Sequence, residues 1–168
     1  PSPELVRMHA AVVKAKDEAI AALRVGTTGD AVHQATIASI TGSGYVMGLP
    51  PADADDGFIS MRHGTGHGIG LDVHEPILLS DGGGEIMANE VFTVEPGLYS
   101  ARFGGVRVED MVVVTTAGPK NLNCLPDHLD WREGRLSLLS APPSLEQKDF
   151  GIEPVAGFSY VLWHRILL

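Results

Sequence analysis

Three short stretches of this chain concentrate the residues able to do chemistry. The first is RHGTGHGIGLDVHEP, residues 62–76, which sets His63, His67 and His74 among Gly64, Gly66, Gly68 and Gly70. Histidine is the commonest side-chain metal ligand and also a general acid–base group. Glycines on either side of a ligand let its backbone lie against a neighbouring strand or a substrate without Cβ clashes. His63 and His67 share parity, so an extended chain turns both to one side. His74 has the other parity, and the glycines leave room for a bend between them. Three histidines on a Gly-rich surface loop would give the same pattern.

The second stretch is NEVFTVEPGLY, residues 89–99. Glu95 closes an apolar alternation and is followed by Pro96-Gly97. Its carboxylate stands where a strand stops and turns, placed either to reach into a cleft or simply to meet solvent. The third is GGVRVEDMVVV, residues 104–114. On a strand, Val106, Val108 and Asp110 share one face, while Arg107, Glu109 and Met111 share the other. Burying Arg107 or Glu109 alone would be costly, so Arg107 needs a carboxylate partner, Glu109 or Glu95. The pair is either a structural ion pair or a metal-ligating Glu109 oriented by Arg107.

Taken together, His67, Glu95 and Glu109 offer one nitrogen and two carboxylates. That donor set suits a divalent first-row ion such as Mn, Co, Fe or Zn. Carboxylates that bridge would suit two ions activating one shared water. The three residues are expected to converge on one cleft.

The elements that must position them are legible in outline. Ser2 can cap a first helix, Pro3 suits its first position, and Glu4 faces the positive end of its dipole. Leu5, Met8, Val12, Ala15, Ala19 and Leu23 then recur at spacings of three and four, and Gly26 ends the run. A second helix is expected over 30–41, with Val32, Ala35 and Ile40 inward. LPPADADDG, residues 49–57, reads as a loop. Glycine-interrupted strands are expected over 58–61, 66–73 and 90–95. The clearest strand is 105–116, ended by Gly118-Pro119. Two helices followed mostly by strands indicate an α+β domain with helices on one sheet face. Beyond about residue 125 the pattern dissolves, and 126–168 reads as a tail of no assigned structure.

The chain has 168 residues, of which 44% are apolar and 20% charged, enough for a real core and too apolar for disorder. Lys and Arg number 12 against 21 Asp and Glu, a net charge of −9. Nucleic acid, which needs a basic stripe, is therefore not expected as a partner. No apolar run approaches a membrane span, so no membrane role is expected either. No signal-peptide pattern precedes the first helix. The single Cys124 can form no internal disulfide and points to a reducing, cytoplasmic setting.

GTGHGIGLDVHEP, FTVEPGLY and GGVRVED, in this order, closely resemble the motifs of the pita-bread metallopeptidases, which include methionine aminopeptidase, aminopeptidase P and prolidase. The resemblance spans residues 3–125 and takes in AIAALRVGTTGDAVH, residues 19–33, which is similar to the family's helix pair. GVRVED and EPG resemble the Xaa-Pro branch. The resemblance implies an α+β pita-bread (creatinase/aminopeptidase) fold, with two helices on a curved, mainly antiparallel sheet. It implies cleavage of the residue before proline in a peptide whose second position is proline, by a metal-activated water. His67 would ligate one ion, Glu95 would ligate and shuttle a proton, and Glu109 would bridge two ions. His74 would stabilise the tetrahedral intermediate, His63 would line the substrate pocket, and Arg107 would hold the metal site in place.

In one respect the chain departs from this family. The family's ligand set adds a pair of aspartates on strands before the helix pair, and Asp17, Asp30, Asp53, Asp55 and Asp56 do not fit those positions. The chain is thus expected to be the C-terminal part of a catalytic domain, binding at most one ion weakly and inactive alone. Its incomplete sheet would leave an edge open to pairing with a second copy. Two other readings use the same fold: a non-catalytic peptide- or protein-binding module, and a creatinase-like C–N hydrolase.

Overall fold

Ser2 opens the first helix, its hydroxyl accepting the Leu5 N–H at 3.2 Å. The computed structural model describes residues 1–123 and 126–129. Helix α1 runs Pro3–Ala22 and α2 runs Gly29–Gly42, the latter capped by Thr28, whose hydroxyl accepts the Ala31 N–H at 3.1 Å. Nine strands follow among the described residues: β1 (Val46–Met47), β2 (Ser60–Met61), β3 (Gly66–Gly68), β4 (Glu75–Leu79), β5 (Val91–Val94), β6 (Gly97–Ser100), β7 (Gly104–Arg107), β8 (Asp110–Thr115) and β9 (Gly118–Asn121). They form a four-stranded sheet in the order β1-β2-β6-β7 and a five-stranded sheet in the order β4-β3-β5-β8-β9. All pairs are antiparallel except β1 with β2. The α+β class and the mainly antiparallel character agree with the sequence.

One hairpin links the two sheets. Val94 pairs with Asp110 on one side of a break, and Gly97 pairs with Arg107 on the other. The register is unchanged across the break, so Glu95 stands opposite Glu109 and Pro96 opposite Val108. Pro96 has no N–H to give the ladder, and the bond crossing there, from Val108 N–H to the Pro96 carbonyl, is long at 3.4 Å. The single strand expected over 105–116 is therefore two strands, β7 and β8, in different sheets. GVRVEDMVVV is strand on both sides of residues 108–109, and the interruption comes from its partner.

Other expectations need correction too. The strand over 66–73 stops at Gly68, where the pairing with β4 shifts register, and β4 itself was not foreseen. The strand does end before Gly118-Pro119, β8 stopping at Thr115, but a further strand, β9, begins there. Gly118, at φ 122, turns the chain back so that β9 pairs with β8. Strands β1 and β6 are too short for periodicity to show. Of the expected tail over 126–168, residues 130–168 lie outside the described residues.

The core has two parts, and α1 covers both. Met8, Ala11, Val12 and Ala15 pack with Ile40 of α2 and with Met61, Leu98, Val106 and Val108 on the side of the four-stranded sheet. One turn further, Ala19 and Leu23 join Val32, Leu79, Ile86, Phe92, Val94, Val112 and Val114 on the five-stranded sheet. Lys16 lies on α1 between the two sets, where the hairpin breaks. Its Nζ is 2.8 Å from Asp110 Oδ2, and both side chains are buried. Asn121 also donates to that oxygen, at 2.8 Å.

A buried pair of this kind is costly to halve. Asp110→Ala should lower unfolding stability in urea by about 3 kcal/mol, while Lys16→Met combined with Asp110→Leu should recover most of that loss. Equal losses in the single and double variants would show that Asp110 acts otherwise than as the lysine's counter-charge.

Candidate metal centre

The break in the hairpin gathers the site. Glu95 leaves β5 just before Pro96, and Glu109 sits opposite it between β7 and β8. On the other side of β5, β3 places Gly68 against Phe92, so His67 lies beside Thr93. Gly66 allows this approach, because a Cβ there would overlap the Thr93 carbonyl oxygen. The Thr93 hydroxyl accepts the His67 N–H at 3.1 Å and lies 3.3 Å from Glu95 Oε1, to which it can donate.

His67 and Glu95 are in direct contact, Nε2 to Oε1 at 3.4 Å. The other ring nitrogen, Nδ1, lies 2.9 Å from the Gly68 carbonyl and donates its proton there. In the neutral ring Nε2 is then unprotonated, so its lone pair faces an anionic oxygen. Such a contact is repulsive unless a cation or a proton stands between the two. His74, although exposed, places its ring against His67, with centroids 4.3 Å apart.

Arg107 does pair with a carboxylate. Its Nη1 is 3.2 Å from Glu95 Oε2, its Nε donates to the Tyr99 hydroxyl at 2.9 Å, and its Nη2 is 3.3 Å from His63 Nε2. Tyr99 in turn lies 2.9 Å from His63 Nε2 and donates to it, while His63 Nδ1 donates to the Gly64 carbonyl at 2.8 Å. Burial lowers the His63 pKa and raises that of Tyr99, which keeps the ring neutral and the phenol protonated, as this chain of bonds requires. Gly97 and Gly105 make the slot for the phenol. A Cβ on Gly97 would stand 2.5 Å from its oxygen, and one on Gly105 2.7 Å from its ring.

Burial pushes the Glu109 carboxyl pKa up, and the charge of Glu95 pushes it further, while Arg107 acts in the opposite direction. The donor set thus suits a divalent ion: one imidazole lone pair and two facing carboxylates, only partly offset by Arg107. The expected convergence is met by His67 and Glu95. Glu109 is brought opposite Glu95, but among the described residues no three His, Cys, Asp or Glu side chains are spaced to hold an ion as they stand. Tyr99 and Thr93 were not singled out in the sequence. Both share strand parity with Glu95, and that signal could have found them.

A family model described as metallopeptidase family M24 matches residues 1–116. The chain belongs to this family. It is 35% identical over 130 residues to the "uncharacterized peptidase YqhT" of Bacillus subtilis, covering 77% of this chain and 33% of that protein. Among solved structures, it is similar to an Xaa-Pro dipeptidase from Bacillus anthracis, at 32% identity with a TM-score of 0.65 over 77% of this chain and 33% of the other. It is similar also to an X-Pro aminopeptidase from Thermotoga maritima, at 32% identity with a TM-score of 0.64 over 76% and 33%. These neighbours bear out the pita-bread fold. The chain spans about a third of the length of the M24 relatives it matches. Among the described residues no helix is long and apolar enough to cross a membrane.

Burial of Glu109, with Glu95 facing it, makes this place sensitive to pH. Because the folded state holds the Glu109 proton more tightly than the unfolded chain, this group's stabilising contribution is complete below the ordinary pKa of 4.5. It is lost as pH rises through the raised folded value. In buffer with chelator, the urea midpoint of the wild-type chain should fall over that window relative to Glu109→Gln, and the variant should be the more stable at pH 7. Parallel pH profiles would show that Glu109 is not strained by Glu95.

Proposed function

We propose that the chain carries part of the catalytic centre of a metal-dependent Xaa-Pro aminopeptidase or dipeptidase. The observation that supports this most directly is His67 Nε2 standing 3.4 Å from Glu95 Oε1, with Glu109 opposite, in a chain of the M24 family. The dipeptidase and aminopeptidase named above supply the substrate class: a peptide with proline in second position, cleaved before the proline.

In this reading His67, Glu95 and Glu109 hold divalent ions of the Mn, Co, Fe or Zn kind, two in the complete enzyme. Bound there, such ions supply Lewis acidity and a nucleophilic water at neutral pH. The chain's own residues do the rest. Glu95 takes a proton from the attacking water and passes it to the leaving amine. His74, exposed beside His67, donates a hydrogen bond to the oxygen that becomes negative in the tetrahedral intermediate. His63 lines the pocket in its neutral form. Arg107 keeps the Glu95 carboxylate turned toward His67, and Tyr99 keeps Arg107 in place. The catalytic part is taken to end near residue 125.

Ligand counting gives the expectation for this chain alone. His67, Glu95 and Glu109 define one site, and a second ion would have only shared carboxylates. The 168-residue chain should therefore bind at most one Mn2+ or Co2+ weakly and should not cleave Xaa-Pro peptides. A polypeptide extended by a segment bearing the family's aspartate pair should gain metal binding and chelator-sensitive turnover together. In that protein His67→Ala or Glu109→Ala should reduce turnover to below about one-hundredth, and Arg107→Ala should weaken metal affinity by about 10–100-fold. Turnover by the short chain would overturn the ligand count. Peptide binding without turnover in the extended protein would overturn the peptidase reading in favour of a binding module.

A further inference from the structure

We propose that His33 is a positioning residue for this metal centre: from α2 it fixes Thr65, and through Thr65 it fixes both His67 and Glu95. The inference rests on the metal-dependent reading above. Thr65 lies midway between His63 and His67 and is fully buried; His33 is 5% exposed. Their side chains meet at 2.9 Å, His33 Nδ1 to Thr65 Oγ1.

Each polar group of Thr65 has a structural task. Its N–H donates to the Leu79 carbonyl at 2.7 Å, which ties it to β4. Its carbonyl accepts the Glu95 N–H at 2.7 Å, which ties it to the break in the hairpin. Its hydroxyl is the link to the helix layer. On the far side of the ring, His33 Nε2 lies 4.0 Å from the exposed carboxylate of Asp81. That carboxylate favours the proton on Nε2, leaving Nδ1 to accept from the Thr65 hydroxyl. Burial lowers the ring's pKa and keeps it neutral, as an acceptor must be.

Without this bond the buried hydroxyl must find another partner, and the strand is free to shift against α2. Such a shift would carry His67 along the chain and Glu95 through its amide bond. Both ligands would move together, away from Glu109.

The test uses the full chain, with backbone amide exchange measured without metal and Mn2+ affinity measured by titration. Thr65→Val removes the hydroxyl at nearly constant shape, and His33→Phe removes the ring nitrogen. Each should speed exchange of the Glu95 amide relative to the amides of β5 and β8, and weaken Mn2+ binding about tenfold. His33→Asn, whose amide reaches the Nδ1 position, should restore both readouts. Val32→Ala, a core truncation on the same helix, should lower global stability and leave the relative Glu95 exchange and the Mn2+ affinity unchanged. If His33→Phe fails to fold, Thr65→Val alone decides. Unaltered Glu95 exchange with intact Mn2+ binding in Thr65→Val would overturn the role of His33. No Mn2+ binding by the wild-type chain, with the Glu95 response intact, would instead overturn the claim that His33 serves a metal centre in this chain and leave the link from helix to strand standing.

Discussion

Two glutamates facing one another across a β-ladder are the constraint around which this chain is arranged. Like charges in directly opposed positions destabilise a sheet. Here they occur where the ladder is already interrupted by Pro96, so the strands need not hold both carboxylates at regular pairing distance. The same interruption passes the hairpin from the four-stranded sheet to the five-stranded one. Helix α1 must then cover two apolar surfaces, and its buried residues divide between them accordingly.

The strand alternation sorts the charges at this point. Asp110 turns toward the helix layer and is matched by Lys16. Arg107 joins Glu95 in a different set, which also includes Tyr99 and His63. The helix-side pair is closed, with both partners buried. The other is open: Arg107 offsets part of the charge on Glu95, and His67 stands beside the same carboxylate. In the function proposed here, this half-buried cluster of donors is where a cation would be held.

Much of this was legible in the residues. The spacing of Met8, Val12, Ala15 and Ala19 identified α1 and its buried stripe, and Ser2 marked its start. The parity of Arg107 and Glu109 put them on one face, and the need to pair a half-buried guanidinium foretold its bond to a carboxylate. The break between β7 and β8 was not legible from 105–116, because its cause lies in Pro96 on the opposite strand. Strand β4 was hidden for a similar reason: EPILL shows no strict alternation, and it becomes a strand by pairing with β3. His33 lacked any local signal, since its partner Thr65 is far along the chain. Tyr99 was visible two positions after Gly97, but its role emerged only once Gly105 was seen to complete its slot.

The glycines around the histidines have a consequence for the history of such chains. Gly66 is held by the Thr93 carbonyl, and Gly97 and Gly105 by the Tyr99 ring, none of which is a reacting group. Packing alone would eliminate larger residues at these positions. On the function proposed here, a lineage released from catalysis would therefore lose His67, Glu95 or Glu109 long before it lost the glycine frame. The frame is a fossil of the backbone's closest approaches, while on that proposal the donor residues and His74 carry the record of the chemistry.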